Sequence, residues 1–129
     1  MPTIEISFGE LVDKLTILEI KAARIRDANK LENIKVELAL LSAEWDAVPP
    51  ASKSRPVEAA VAELRDVNAR LWDIEDALRR MEKDRTFDAT FISLARNVYR
   101  TNDERARVKK RLDVLLGSHV TEEKSYEPY

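Results

Sequence analysis

"SFGELVDKLTILEIKAARI", residues 7–25, reads as an amphipathic helix whose apolar residues do not keep to a single stripe. Phe8, Leu11, Leu15, Leu18, Ala22 and Ile25 step by three and four residues along one face, while Ile17 and Ile20 lie off it. Ser7 and Glu10 stand at the N-cap and N3 positions of a capping box, and Ile6 and Leu11 at the flanking staple positions. Charged residues sit between two apolar faces. One face closes a core; the other meets either a polar pocket or another subunit.

The same spacing continues outward. Leu31, Ile34, Leu38, Leu41, Trp45 and Val48 form a second seam, and Val57, Ala60, Leu64, Val67, Leu71, Ile74, Leu78 and Met81 a third. Phe87, Phe91, Leu94, Val98, Val108, Leu112 and Leu115 form a fourth, ended by Gly117 as a natural C-terminal cap. Asn29 and Glu32 repeat the capping spacing where the hydrophobic phase slips, which places a break near Asn29. "VPPASKSRP" (48–56) is a loop, with Pro56 suited to the first turn of the next helix. A short turn near Asp84–Thr86 joins the last two helices. The expectation is an all-α, single-domain antiparallel four-helix bundle over residues 1–129, with coiled-coil-like seams. Its helices lie near 7–27, 30–47, 56–84 and 87–116, and an irregular tail spans 117–129.

Composition narrows the function classes. Two glycines in 129 residues argue against a phosphate-cradling loop, and the absence of cysteine excludes a disulfide framework or thiolate metal site. A lone imidazole, His119 on the tail, does not make a metal centre, so no metal or cofactor is expected. With one histidine and no glycine elbow, a Ser/His/Asp catalytic set has no support, and no catalytic residue is assigned. The net charge is −2, and the basic run "RARVKKR" (105–111) reads as a solvated helix face, so no nucleic-acid binding is expected. Apolar runs fall far short of the ~20 residues that span a bilayer, and "MPTIEIS" lacks the form of a secretory signal. A cytoplasmic chain without membrane insertion is expected.

Polar residues interrupt the seams. Between Val98 and Val108 the fourth seam passes through Thr101 and Arg105. Asn68, Trp72, Glu75 and Asp76 flank the third seam, while Arg96, Tyr99, Asn102 and Asp103 surround the gap in the fourth. A turn near residue 85 sets opposed positions on the two helices at a numbering sum of about 172 by antiparallel pairing, which levels Glu75 with Arg96 or Asn97, and Trp72 with Arg100. Polar groups at bundle depth are costly unless paired. They form either an internal network that fixes register or a pocket for an anionic ligand, and the candidate ligand-binding set is Lys14, Asn68, Trp72, Glu75, Arg96, Tyr99, Asn102 and Asp103. In the tail "TEEKSYEPY", Tyr126 and Tyr129 are the candidate anchors, laid across the start of the first helix.

"SFGELVDKLTILEIK" (7–21), "VNARLWDIED" (67–76), "FISLARNVYRTND" (91–103) and "GSHVTEEKSYEPY" (117–129) resemble a bacterial family of unknown function. Its members are short helical proteins often encoded beside glycosyltransferases and other surface-polysaccharide genes. The resemblance covers nearly the whole chain. Its signature corresponds here to Glu10, Asp13, Lys14, Glu19, Lys21, Asn68, Trp72, Glu75, Asp76, Arg96, Tyr99, Asn102, Asp103, Glu123, Lys124 and Tyr126. The polar cluster and the missing catalytic apparatus point to a non-catalytic accessory or ligand-binding module; the resemblance implies only its setting, envelope-polysaccharide synthesis, with a glycosyltransferase or related protein as partner. The alternative is a small helical enzyme of chorismate-mutase type, recruiting Arg96, Arg100, Lys14 and Glu75 to clamp a dianion. A homodimer through the first helix is compatible with both.

Overall fold

The computed structural model describes residues 1–129. Four α-helices follow in order: α1 (Phe8–Arg24), α2 (Ala28–Asp46), α3 (Arg55–Lys83) and α4 (Ala89–Leu116), with a single 3-10 turn at Pro50–Ser52. The protein is an all-α, single-domain helical bundle.

Local chemistry explains most helix ends. Ser54 accepts the Val57 amide at the start of α3, and Asp88 accepts the Phe91 amide at the start of α4. The break between α1 and α2 lies at Ile25–Asp27, ahead of the expected Asn29, because Asp27 is the cap and accepts the Lys30 amide at 3.0 Å. Helix α4 likewise begins at Ala89, leaving Phe87 outside it. Helix α3 closes with paired bonds from the Thr86 and Arg85 amides to the Met81 and Glu82 carbonyls. This puts Arg85 in the left-handed region at φ 51°, where glycine is usual.

Both apolar faces of α1 find partners within the chain. Helix α1 packs against all three other helices, and α2 lies chiefly on α1. Leu11, Val12, Leu15, Leu18 and Ile20 are all buried. The main core joins Val12 to Val57, Ala60 and Leu64 of α3 and to Val108 and Leu112 of α4, with Trp45 of α2 against its edge. Helices α3 and α4 are antiparallel, with Arg70 bonded to Glu104 and Glu63 to Arg111. Helix α1 spans about 25 Å and α3 about 43 Å, so α1 covers only one end of the α3–α4 hairpin.

The start of α1 is sealed by the end of α4. A helix leaves its first amides without intrahelical partners. Here the Phe8 amide donates to Ser118 Oγ at 3.0 Å, the Gly9 amide to Asp113 Oδ1 at 2.7 Å, and the Glu10 amide to Ser7 Oγ at 3.1 Å. Gly117, at φ 68°, turns the chain so that Ser118 can reach back. Asp113 is buried at the positive end of the α1 dipole. Gly9 permits the approach: a Cβ there would lie 2.2 Å from the Lys109 carbonyl oxygen and 2.8 Å from Asp113 Oδ1. Because the first of those neighbours is backbone, Gly9→Ala is expected to lower stability by about 3 kcal/mol, read as a lower urea midpoint at unchanged slope.

Candidate functional site

One turn beyond Gly9, the carboxylate of Asp13 enters the core, where only 1% of its surface stays exposed. Isolated charge at that depth is untenable, and three elements supply its partners. Arg105 of α4 grips both carboxylate oxygens, with Nε at 2.8 Å from Oδ1 and Nη2 on Oδ2. Asn68 of α3 donates from Nδ2 to Asp13 Oδ1 at 2.9 Å and to Thr16 Oγ1 at 2.8 Å. The Thr16 hydroxyl donates onward to the Asp13 carbonyl at 2.9 Å. Every buried polar side-chain atom of the protein has a hydrogen-bond partner.

This clamp is electrostatically closed. Burial pushes the Asp13 carboxyl up, but hydrogen bonds from Arg105 and Asn68, with the charges of Arg105 and Lys109, outweigh it and hold the group below the usual carboxylate range. The hydrogen bond to Asp13 raises Arg105 in turn. Lys109 is pulled down by burial and up more strongly by its bonds to Glu10 at 2.6 Å and Glu122 at 3.1 Å. Asp13 is thus ionised near neutral pH and held by hydrogen bonds on both oxygens.

Above the clamp lies a cleft of about 1440 Å³ between α1, α4, the N-terminal lead and the tail. Its lining includes the cations Lys14, Arg105, Arg107, Lys109 and Lys124, the carboxylates Glu10, Asp103, Glu122 and Glu127, and the rings of Tyr99, Tyr126 and Tyr129. The tail is tied down by charge along α4. Glu122 bonds Lys109, which holds its carboxyl below the ordinary value, and Glu123 pairs with Lys110 at 3.3 Å. The Tyr129 hydroxyl donates to Asp103, and its ring meets Tyr99 edge-on with centroids 5.0 Å apart. Tyr129 therefore anchors on the middle of α4 and not across the start of α1, because the tail reverses at Gly117 and runs back along α4.

The structure does not bring the sequence-derived set together in one site. Lys14, Tyr99, Asn102 and Asp103 come together in the cleft, and Asn68 lies in the clamp beneath. Lys14 is a rim residue, with Glu10 as its ionic neighbour at 3.7 Å. Trp72, one turn past Asn68 on α3, is half-buried. Glu75 lines a separate shallow groove between α3 and α4, and Arg96 is exposed on α4 outside both. The Glu75–Arg96 pairing does not form, and Lys14 and Glu75 line different depressions. Asp13, Arg105 and Lys109 are the residues that sequence reasoning left out of the site. The signal for Arg105 was its place on an apolar seam; Asp13 carried no local signal.

Comparison with known proteins adds one finding. The model of a family of unknown function, DUF6165, matches residues 2–129. The chain belongs to DUF6165. No curated protein matches this DUF6165 chain, and no solved structure does. No group of three or more His, Cys, Asp or Glu side chains is placed to hold a metal ion, and no helix is long and apolar enough to cross a membrane.

The low Asp13 carboxyl fixes the sign of a pH effect. Its stabilisation is complete above the unfolded value of about 3.9 and is lost as pH falls through the lower folded value. Asp13→Asn is expected to cost about 3 kcal/mol at neutral pH and to flatten the acid limb of stability, measured by urea midpoints between about pH 7 and about pH 3.

Proposed function

We propose that this chain is a non-catalytic binding module whose site is the cleft beneath the tail, and that it takes an anionic small molecule carrying a ring. The observation that carries the reading is the imbalance of partners among the cleft's cations. Arg105, Lys109 and Lys124 are committed to Asp13, Glu10 and Glu122. Lys14 of α1 makes only the 3.7 Å approach to Glu10, and Arg107 of α4, lining the same cleft, forms no ion pair within the chain. Two cations facing a cleft edged by Tyr99 and Tyr126 suit a phosphate or carboxylate joined to a sugar or base, since the rings offer stacking faces and the cations answer the charge.

The chemistry of the clamp supports binding over catalysis. Its carboxylate is buried and both oxygens are held by hydrogen bonds from Arg105 and Asn68, which favours a fixed structural charge over a reacting group. The residues considered for a chorismate-mutase-like reaction do not share one cavity. The likeness to chains encoded beside glycosyltransferases makes sugar phosphates and nucleotide sugars the leading ligand class. In this reading the module holds such a donor for a larger enzyme of envelope-polysaccharide synthesis, which would be its protein partner.

Isothermal titration and thermal shift against nucleoside-diphosphate sugars and sugar phosphates test the proposal. Binding weakened at least about tenfold by the Lys14→Ala/Arg107→Ala double variant, with unchanged helicity, is the expected result. Absence of binding by every compound in the mM range, or binding indifferent to that double variant, overturns it.

A further inference from the structure

The far end of the α3–α4 hairpin carries a second feature, independent of the cleft. The last side-chain link from α1 to α3 is Arg24 to Asp73. Beyond that level two helices alone share a seam that closes fully elsewhere. In the body, Leu64, Val67, Val108 and Leu112 are buried to 2% exposure or less. Toward the tip, Leu78, Met81, Leu94 and Val98 stay half-buried, and Ile92 is 56% exposed. A groove of about 300 Å³ runs along this end, with Leu78, Phe91, Ala95 and Val98 in its floor and Glu75, Arg79 and Glu82 on its rim.

We infer that this groove is a self-association surface, on which a second copy of the chain docks its own hairpin antiparallel about a two-fold axis to complete a four-helix bundle. The rim selects that occupant. Glu75 and Arg79 are opposite charges one helical turn apart, both exposed and neither salt-bridged within the chain, unlike Arg70 and Arg111 nearby on the same hairpin. In a two-fold contact each residue faces its mirrored position on the other copy. With the axis level with residue 77, Glu75 of each copy meets Arg79 of the other, so one surface carries both halves of the pairing. The same contact covers the apolar floor.

Sedimentation of the full-length protein tests this, with far-UV circular dichroism as the check on folding. The expected result is a dimer at roughly 100 µM that is weakened at least about tenfold by Glu75→Arg and likewise by Arg79→Glu, because each single change sets like charges against each other. The combined Glu75→Arg/Arg79→Glu variant restores the pairing and should dimerise within about twofold of the parent. A monomeric parent at that concentration, a dimer indifferent to the single reversals, or a combined variant as weak as either single one overturns the inference.

Discussion

An ionised carboxylate 1% exposed inside a helical bundle leaves little freedom to the chain around it. Asp13 needs donors from more than one direction, and Asn68 and Arg105 supply them from separate helices. The three helices are thereby fixed at one level as well as packed side by side. Apolar seams of similar spacing tolerate sliding by a turn, since one Leu resembles the next; a buried charge with two designated partners does not. Gly9 acts one turn away by admitting the α4 backbone, and Asp113 and Ser118 close the first amides of α1. Close approach, sealed helix end and buried charge all lie within the first two turns of α1.

The clamp also shapes what stands above it. Arg105 faces Asp13 on one side and lines the cleft on the other, and Lys109 bridges Glu10, Asp13 and the tail's Glu122. The floor of the cleft is held by buried bonds, while its roof is a segment held by exposed ion pairs and one tyrosine pair. Exposed pairs of this kind contribute roughly 0–1 kcal/mol each and weaken with salt. A charged floor fixed by buried bonds thus lies under a lightly tethered roof.

Much of the fold was legible in the sequence because helices announce themselves through spacing and caps. The four seams, Ser7, the proline loop and Gly117 each rest on short-range chemistry. The α3–α4 turn near residue 85 placed the two helices antiparallel for the same reason. The α1–α2 break was misplaced because Asp27 and Asn29 are both competent caps two residues apart. The clamp was harder. Arg105 on an apolar seam marked a buried polar level, but Asp13, between Lys14 and Val12, has the local pattern of any surface charge, and only the arrival of α4 buries it. Glu75 and Arg96 failed to converge because α1 ends near Asp73, so their level has no third helix to enclose them. The role of Gly9 depended on the Lys109 carbonyl, 100 residues away in sequence.

The central claim is that Asp13 and Arg105 act as one unit joining α1 to α4. A double-mutant cycle on stability tests it directly, comparing Asp13→Ala, Arg105→Ala and the double variant by urea unfolding. The expected result is a coupling of about 2–3 kcal/mol, with the double variant nearly as stable as the weaker single one. Additive losses, with coupling below about 0.5 kcal/mol, would mean that the two residues stabilise the protein independently and that the clamp is not what holds the bundle in register.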